Sequence, residues 1–349
     1  MLLEIDIKED DLLAMGGGIL DMLLLDRTTG ENIIWATDDY AAMGDSYTFF
    51  QHITPELITG DKKNTIQPRV AKNEEKRKKR ARKMAEVFTP AWVCNNMNNG
   101  VDEAWFKRKP VFNIVSEKSG LREWTPTTEK VTFPEGKTWQ EYVSMGVIEI
   151  TCGEAPYLCN RYDAVTGEYN QDVKYRIGML DRKLRIVSEN TKDSKEWILW
   201  AKVALRSTYG FEWQGDNLLL AREALFFTFE EHYIARFGEK KFNQNKMRMM
   251  PGAAYIISWN VWQMDGLTYG LPGYQPFVEE KKDKYVQLSL FSGDTKEKKR
   301  KPSPHERFCL IKDFLDGVNI HKATLCSKDF HDQSAPKQTF ESIVNKTQQ

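Results

Sequence analysis

The chain has 349 residues, of which 41% are apolar and 12% aromatic, so it holds ample material for a packed core. Its 50 Lys and Arg residues balance its 50 Asp and Glu residues, which excludes a global polyanion-attracting charge. Five cysteines without CxxC spacing, an acidic N-terminal stretch and the absence of a long apolar run predict a cytoplasmic protein with reduced thiols and no membrane span.

Composition along the chain predicts four parts. We expect an N-terminal α+β region over 1–70, a core over 71–278, a charged linker over 279–304 and a C-terminal tail over 305–349. In the first part, the apolar runs ILDMLLLD and IIWAT are separated by RTTGEN, and this pattern predicts a β-hairpin.

The core begins with a basic stretch. Within DKKNTIQPRVAKNEEKRKKRARKMA, the run at 76–83 concentrates the positive charge. Such a run is typical both of a solvated helix face and of a phosphate contact, because it is a local electrostatic footprint in a neutral chain. We therefore expect either an exposed helix or a sequence-independent contact with double-stranded DNA.

Alternating patterns through the core predict an α/β sheet with crossover helices. In VFTPAW, Pro90 fits the first helical position with Thr89 as N-cap, whereas 110–145 carries loop signals. The runs VIEI, FEWQ and AAYIISWNVW predict strands, and RIGMLDRKLRIV fits a helix or a strand. Apolar side chains at three- and four-residue steps predict helices over SKEWILWAKVALR and over NLLLAREALFFTFEEHYIARFG, the second ending near Gly238.

The stretch EITCGEAPYL, residues 149–158, ends the first of these strands. It lacks the GK[ST] of a phosphate loop and the spacing GxGxxG, and Cys152 with Cys159 has no nearby histidine, so we predict no metal site. In open α/β sheets, ligands lie beyond the carboxyl ends of the strands. The Glu149 carboxylate beside a turn at Gly153 favours a cationic ligand, such as the amino-acid end of S-adenosylmethionine. A plain strand-to-helix turn is the alternative.

This stretch resembles the cofactor motif of the N6-adenine DNA methyltransferases of restriction–modification systems. That motif is an acid, Pro, Ala, Cys, Gly, a small residue and Gly. Here Glu149, Cys152 and Gly153 fit it, Ile150 stands in place of Pro, and Ala155 stands in place of the second Gly. The resemblance implies a Rossmann-like S-adenosylmethionine-dependent methyltransferase sheet, with an N-terminal extension and a small C-terminal tail.

Two further motifs follow the order of that family. VFTPAWVCNNM is similar to its upstream motif, which implies that Phe88, Thr89 and Pro90 lie against the methionine end of the cofactor. YGFEWQGDNLLLAREAL is similar to its second-strand segment, which implies that Glu212 holds the ribose hydroxyls. The resemblance covers roughly 70–270 and treats 159–193 as an insertion. We expect these cofactor-binding residues to converge at the carboxyl edge of the sheet.

The catalytic tetrapeptide of the family, Asn/Asp-Pro-Pro-aromatic at the end of the fourth strand, is replaced by NVWQ. Asn260 would give an amide oxygen and Val261 a carbonyl to the exocyclic amine of adenine, and Trp262 or Trp259 would stack on the flipped base. Without the prolines this is a variant or an inactive site, and a core strand with packed tryptophans is the alternative. Asp265 is the substitute acid if the register differs.

Two functions stay open at this point. One is an enzyme that methylates adenine N6 in DNA, and the other is a catalytically inactive methyltransferase-fold subunit for DNA binding or assembly. The short stretch after 270 leaves target recognition to a separate specificity or restriction subunit, or to the N-terminal region. QLSLF at Gln287–Phe291 resembles a peptide that docks onto the replication sliding clamp, with an edge strand as its alternative.

Overall fold

The computed structural model describes residues 9–72, 74–84, 89–118, 121–267, 269–273, 309–312 and 337–339. Phe88 and Gln287–Phe291 lie outside these ranges. The helices are α1 Glu9–Met15, α2 Ile19–Leu24, α3 Pro55–Ile58, α4 Glu74–Met84, α5 Ala91–Phe106, α6 Trp139–Ser144, α7 Met179–Asn190, α8 Ser194–Arg206, α9 Gly215–Phe237 and α10 Glu239–Asn260. The strands are β1 Asn113–Lys118, β2 Leu121–Pro126, β3 Val147–Glu149, β4 Thr208–Glu212, β5 Val261–Gln263, β6 Leu310–Lys312 and β7 Lys337–Thr339.

A small parallel sheet organises the core. Its order is β3-β4-β5, with Glu149 opposite Gly210 and Gly210 opposite Val261. Helices α7 and α8 connect β3 to β4, and α9 and α10 connect β4 to β5. Parallel strands need such crossovers, so the predicted strand–helix alternation and the mixed α/β class are confirmed. Within the described ranges, no strand pairs with the other edge of β3.

The third predicted strand is mostly helix. AAYIISWN belongs to α10, and only Val261–Gln263 is extended. This part of α10 is buried on nearly every side, with Ile256 at 0% and Ile257 at 1% exposure. An apolar run of this kind fits a buried helix and a buried strand equally well, so periodicity could not separate them. The extended residues pair with β4 on the side away from β3, so β5 is not next to the first strand.

The hairpin predicted in the N-terminal region is wrong in its first half. ILDMLL forms α2, and only isolated antiparallel bridges join Leu25 to Asn32 and Ile34 to His52. Helix α2 packs on α10. The guanidinium of Arg222 on α9 donates to the carbonyls of Leu23 at 2.6 Å and of Val261 at 2.8 Å. This buried cation therefore joins the N-terminal region directly to the sheet.

The loop predicted over 110–145 holds two regular elements. Strands β1 and β2 form an antiparallel hairpin, and α6 follows with a capping box between Thr138 and Glu141. The polar composition of the hairpin hid it, because its outer side chains are exposed. Helix α5 begins at Ala91 with Pro90 as its N-cap residue, one position later than predicted. None of the helices in the described ranges is long and apolar enough to cross a membrane.

The basic helix α4 is docked on the protein through Arg80. The Arg80 side chain is 3% exposed and lies 3.0 Å from Asp216 and 3.3 Å from Asp39. Lys72 adds a second buried cation at 3.2 Å from Asp216. Burial opposes ionisation of Asp216, but Lys72 and Arg80 outweigh it and hold the pKa of this carboxyl well below its usual range. The basic run is therefore not simply a solvated face.

We expect Asp216→Asn to destabilise the protein by about 3–5 kcal/mol, because it removes the buried anion that Lys72 and Arg80 share and leaves Arg80 with Asp39. The pKa of Asp216 is lowered by folding, so this contribution is present at neutral pH and is lost as the pH falls below about 4. Urea unfolding at pH 7 measures the loss. Glu74→Gln removes an exposed i,i+4 pair with Lys78 and is the matched control, with an expected cost below about 0.5 kcal/mol. Equal costs for the two variants would contradict this role of Asp216.

Candidate cofactor site

A tight turn follows β3 at the carboxyl edge of the sheet. The Cys152 N–H donates to the Phe211 carbonyl at 2.8 Å, so the turn remains attached to β4. The backbone is left-handed at Thr151, Gly153 and Ala155, with φ of 50°, 54° and 61°. Ala155 occupies the position where the similar motif carries its second glycine, and its positive φ explains why glycine is favoured there.

Glu212 holds this turn in place. One carboxylate oxygen accepts the Gly153 N–H at 2.9 Å, and the other accepts the Gln214 N–H at 3.1 Å. Each oxygen keeps a second lone pair. Glu212 is 8% exposed, and burial raises the pKa of its carboxyl. The residue therefore joins the end of β4 to the turn after β3 and to the start of α9.

Glu149 lies on the other side of the same turn. Its carboxylate accepts the Leu158 N–H at 3.2 Å. Burial raises the pKa of Glu149 well above its usual range, and the nearby Glu212 carboxylate adds to this effect. The structure therefore brings Glu149, Gly153 and Glu212 together at one edge of the sheet, as the sequence predicted.

The start of α5 lies beside this pair. The Cys94 thiol donates to the Thr89 carbonyl at 3.7 Å, and Asn98 donates to the Tyr157 carbonyl at 2.9 Å. Burial, followed by the negative charge of Glu149, raises the pKa of Cys94 to about 12. Thr89 therefore adjoins the turn, in keeping with the prediction for the Phe88–Pro90 segment as far as that segment is described.

Cys152 has a packing role. Its Sγ lies over Gly210 so closely that a Cβ there would approach it to 3.2 Å. Burial raises the pKa of the thiol well above its usual range, so Cys152 stays protonated and unreactive. In the part of the chain that the structure describes, no three His, Cys, Asp or Glu side chains form a metal-ligand group.

Asn260 lies at the opposite edge of the sheet, so its predicted place beside the methyl-donor end is wrong. It is 1% exposed at the end of α10, and its amide donates to the carbonyls of Leu205 at 2.9 Å and Thr208 at 3.2 Å. Thr208 begins β4, whereas Glu212 ends it. Four residues of strand separate the two edges by about 13 Å.

The other two predicted catalytic residues, Val261 and Trp262, also make contacts within the core. The Val261 carbonyl accepts two hydrogen bonds from Arg222, at 3.0 and 2.8 Å. Trp262 is buried and stacks on Tyr209 with ring centroids 5.8 Å apart, and Trp259 is buried as well. Asn260, Val261 and Trp262 therefore do not form a pocket for a flipped base. Both tryptophans pack in the core, which was the alternative interpretation of the sequence.

Residues after β5 and from the N-terminal region complete the carboxyl edge, which the sequence did not indicate. A cavity of about 260 Å³ lies beside Gln263 and is bordered by Asn32 and Phe50. Phe50 is 67% exposed beside this cavity. Asp265, the substitute acid of the sequence analysis, lies just beyond β5, where its carboxylate accepts the Leu267 N–H at 2.7 Å and stabilises a turn.

The two carboxylates at this edge are acceptors of the kind that an adenosine-type cofactor with an amino-acid end would require. The remaining lone pairs of Glu212 suit two ribose hydroxyls, and the buried Glu149 carboxylate suits an ammonium group. A cation would also relieve the unfavourable proximity of the two acids. No protein-family model matches the chain, no curated protein matches it, and no solved structure matches it.

Glu149→Gln should change how stability depends on pH. Folding raises the pKa of Glu149, so the folded state binds a proton that the unfolded chain releases, and the wild type gains stability as the pH falls through the raised pKa. The glutamine variant keeps an acceptor for Leu158 and should lose this gain, so it should be relatively more stable at pH 8 than at pH 5.5. Urea unfolding at both pH values measures the difference. The exposed Glu117→Gln is the control, and a Glu149→Gln profile identical to the wild-type profile would argue against a raised pKa of Glu149.

Proposed function

We propose that this protein is a methyltransferase-fold subunit that binds S-adenosylmethionine and acts in DNA binding or assembly, without transferring the methyl group through Asn260. The observation that carries the proposal is the pairing of Glu149 and Glu212 across the Gly153 turn at the carboxyl edge of the sheet. The strand order β3-β4-β5 is that of one half of a doubly wound nucleotide-binding sheet, which supports a Rossmann-like fold.

Each residue at this edge has a distinct task in the proposal. Glu212 accepts the ribose hydroxyls while it holds the turn, and Glu149 neutralises the ammonium group. The Thr89–Pro90 segment lies on the methionine side. DNA is the proposed macromolecular partner, contacted by exposed cations of α4 such as Lys78 and Arg82, because Arg80 is already bound to Asp216. A specificity or restriction subunit would supply sequence recognition.

The position of Asn260 does not suit catalysis. Transfer to adenine requires an amide and a carbonyl oxygen at the amine, close to the methyl group of the donor. The Asn260 amide nitrogen donates to core carbonyls, its oxygen Oδ1 is buried in the core without a partner among the described residues, and the Val261 carbonyl is bound by Arg222. Asn260 also lies at the edge opposite to Glu212. A base that reached either group would have to open the interface between α10 and β4.

Calorimetry with S-adenosylmethionine tests the binding half of the proposal. Glu212→Gln should weaken affinity about tenfold or more, because the amide replaces one charged acceptor by a donor beside the turn and the ribose. Glu117→Gln should bind like the wild type. Thermal unfolding of Glu212→Gln checks that the variant is folded at the temperature used. Unchanged affinity in Glu212→Gln, or no binding by the wild type, would refute the cofactor site.

A methyl-transfer assay tests the catalytic half. With labelled S-adenosylmethionine and mixed-sequence duplex DNA, we expect no incorporation above a protein-free control, even at cofactor concentrations that saturate calorimetric binding. Asn260→Ala should leave this result unchanged. The opposite outcome is incorporation of label by the wild type but not by Asn260→Ala. That result would show that α10 rearranges to form an active site, and the protein would then be an adenine N6-methyltransferase and not an inactive subunit.

A further inference from the structure

A second cavity, of about 550 Å³, lies among the helices and shares no residue with the cofactor site. It is bordered by the end of β2, the segment before α7, the second half of α7 and the C-terminal turns of α9. No residue of β3, β4 or β5 lines it. Its polar lining comprises Thr127, Thr128, Lys174, Arg185, Ser188, Glu189, His232 and Arg236.

The charge of this cavity is positive. Lys174 and Arg236 are exposed, and neither forms an ion pair with any residue that the structure describes. The one acid in the lining, Glu189, is neutralised by Arg185 at 2.7 Å and also accepts the Val131 N–H at 2.9 Å. Two cations therefore remain for a ligand. The C-terminal end of α9 opposes an anion by less than about 1 kcal/mol, which two cations outweigh.

A fixed histidine lies in the cavity wall. His232 is 3% exposed, and its Nε2 lies 3.0 Å from the Asp181 carboxylate. Asp181 is itself held by the Asn160 N–H at 2.9 Å, so the orientation of the imidazole ring is determined. The other ring nitrogen, Nδ1, has no hydrogen-bond partner among the described residues. Because His232 lines the cavity, a ligand there could hydrogen-bond to this nitrogen.

We infer that this cavity binds a small phosphate-bearing molecule of nucleotide size. Its volume falls within the range of small-molecule sites, and its concave form excludes duplex DNA. The Arg236 guanidinium and the Lys174 ammonium suit phosphate oxygens, and the hydroxyls of Thr128 and Ser188 are further hydrogen-bonding groups. The inference does not depend on the proposed cofactor site, since the two sites are built from different residues.

Calorimetry with inorganic phosphate, pyrophosphate and AMP tests the inference on the full chain. We expect AMP to bind more tightly than inorganic phosphate, because the cavity also encloses the nucleoside. The double variant Lys174→Gln, Arg236→Gln should weaken AMP binding about tenfold, and the control Lys240→Gln, Lys241→Gln removes the same charge from exposed sites outside the cavity and should bind within about twofold of wild type. Absence of binding by all three probes, or equal weakening in both double variants, would overturn the inference.

A steric variant tests the location. Ala235 is exposed on α9 and lines the cavity, so Ala235→Trp should fill it without disturbing the core. We expect AMP binding to fall by at least tenfold while the thermal unfolding midpoint stays near that of the wild type. AMP affinity equal to the wild-type value in Ala235→Trp would place the binding elsewhere and overturn the inference.

Discussion

The Glu212 carboxylate is the contact on which the carboxyl edge of the sheet depends. By accepting the N–H groups of Gly153 and Gln214, it fixes the turn after β3 and the start of α9 at the end of one strand. This arrangement buries a negative charge next to Glu149, and the raised pKa of both carboxyls reflects that cost. A ligand that brings hydroxyl donors and a positive charge would lower the cost, which is why we propose that the contact that shapes the turn also serves binding.

The amino edge of the sheet is closed by side chains that satisfy the backbone. Asn260 donates to the carbonyls of Leu205 and Thr208, and Lys183 donates to the Met145 and Ser207 carbonyls at 2.5 and 3.1 Å. Buried carbonyls need such partners, which is a sufficient reason for an asparagine at this position. The polar residues of the amino edge therefore complete the fold, whereas we propose that those of the carboxyl edge also serve a ligand.

The sequence predicted those features that short segments determine. The turn at Gly153 and the acids Glu149 and Glu212 each follow a brief apolar run, so their meeting at one sheet edge follows from parallel pairing. Long-range packing determines the rest. The mostly apolar run before Asn260 is compatible with a strand and with a buried helix, and only the contacts of α10 with α2, α8 and α9 distinguish the two. Arg80 likewise cannot be distinguished from its solvated neighbours until Asp216 is placed beside it.

The chain is neutral overall, but negative and positive side chains are concentrated in different parts of the fold. Equal numbers of acidic and basic residues exclude a surface of one uniform charge. They still allow a local excess of either charge where helices and strands meet. At the carboxyl edge, two buried acids lie together without a cation in hydrogen-bonding contact among the described residues. Between α7 and α9, two cations border a cavity whose acid is already paired. These excesses have opposite signs and are built from different residues, which agrees with our proposals of a cationic ligand at the first and an anionic ligand at the second.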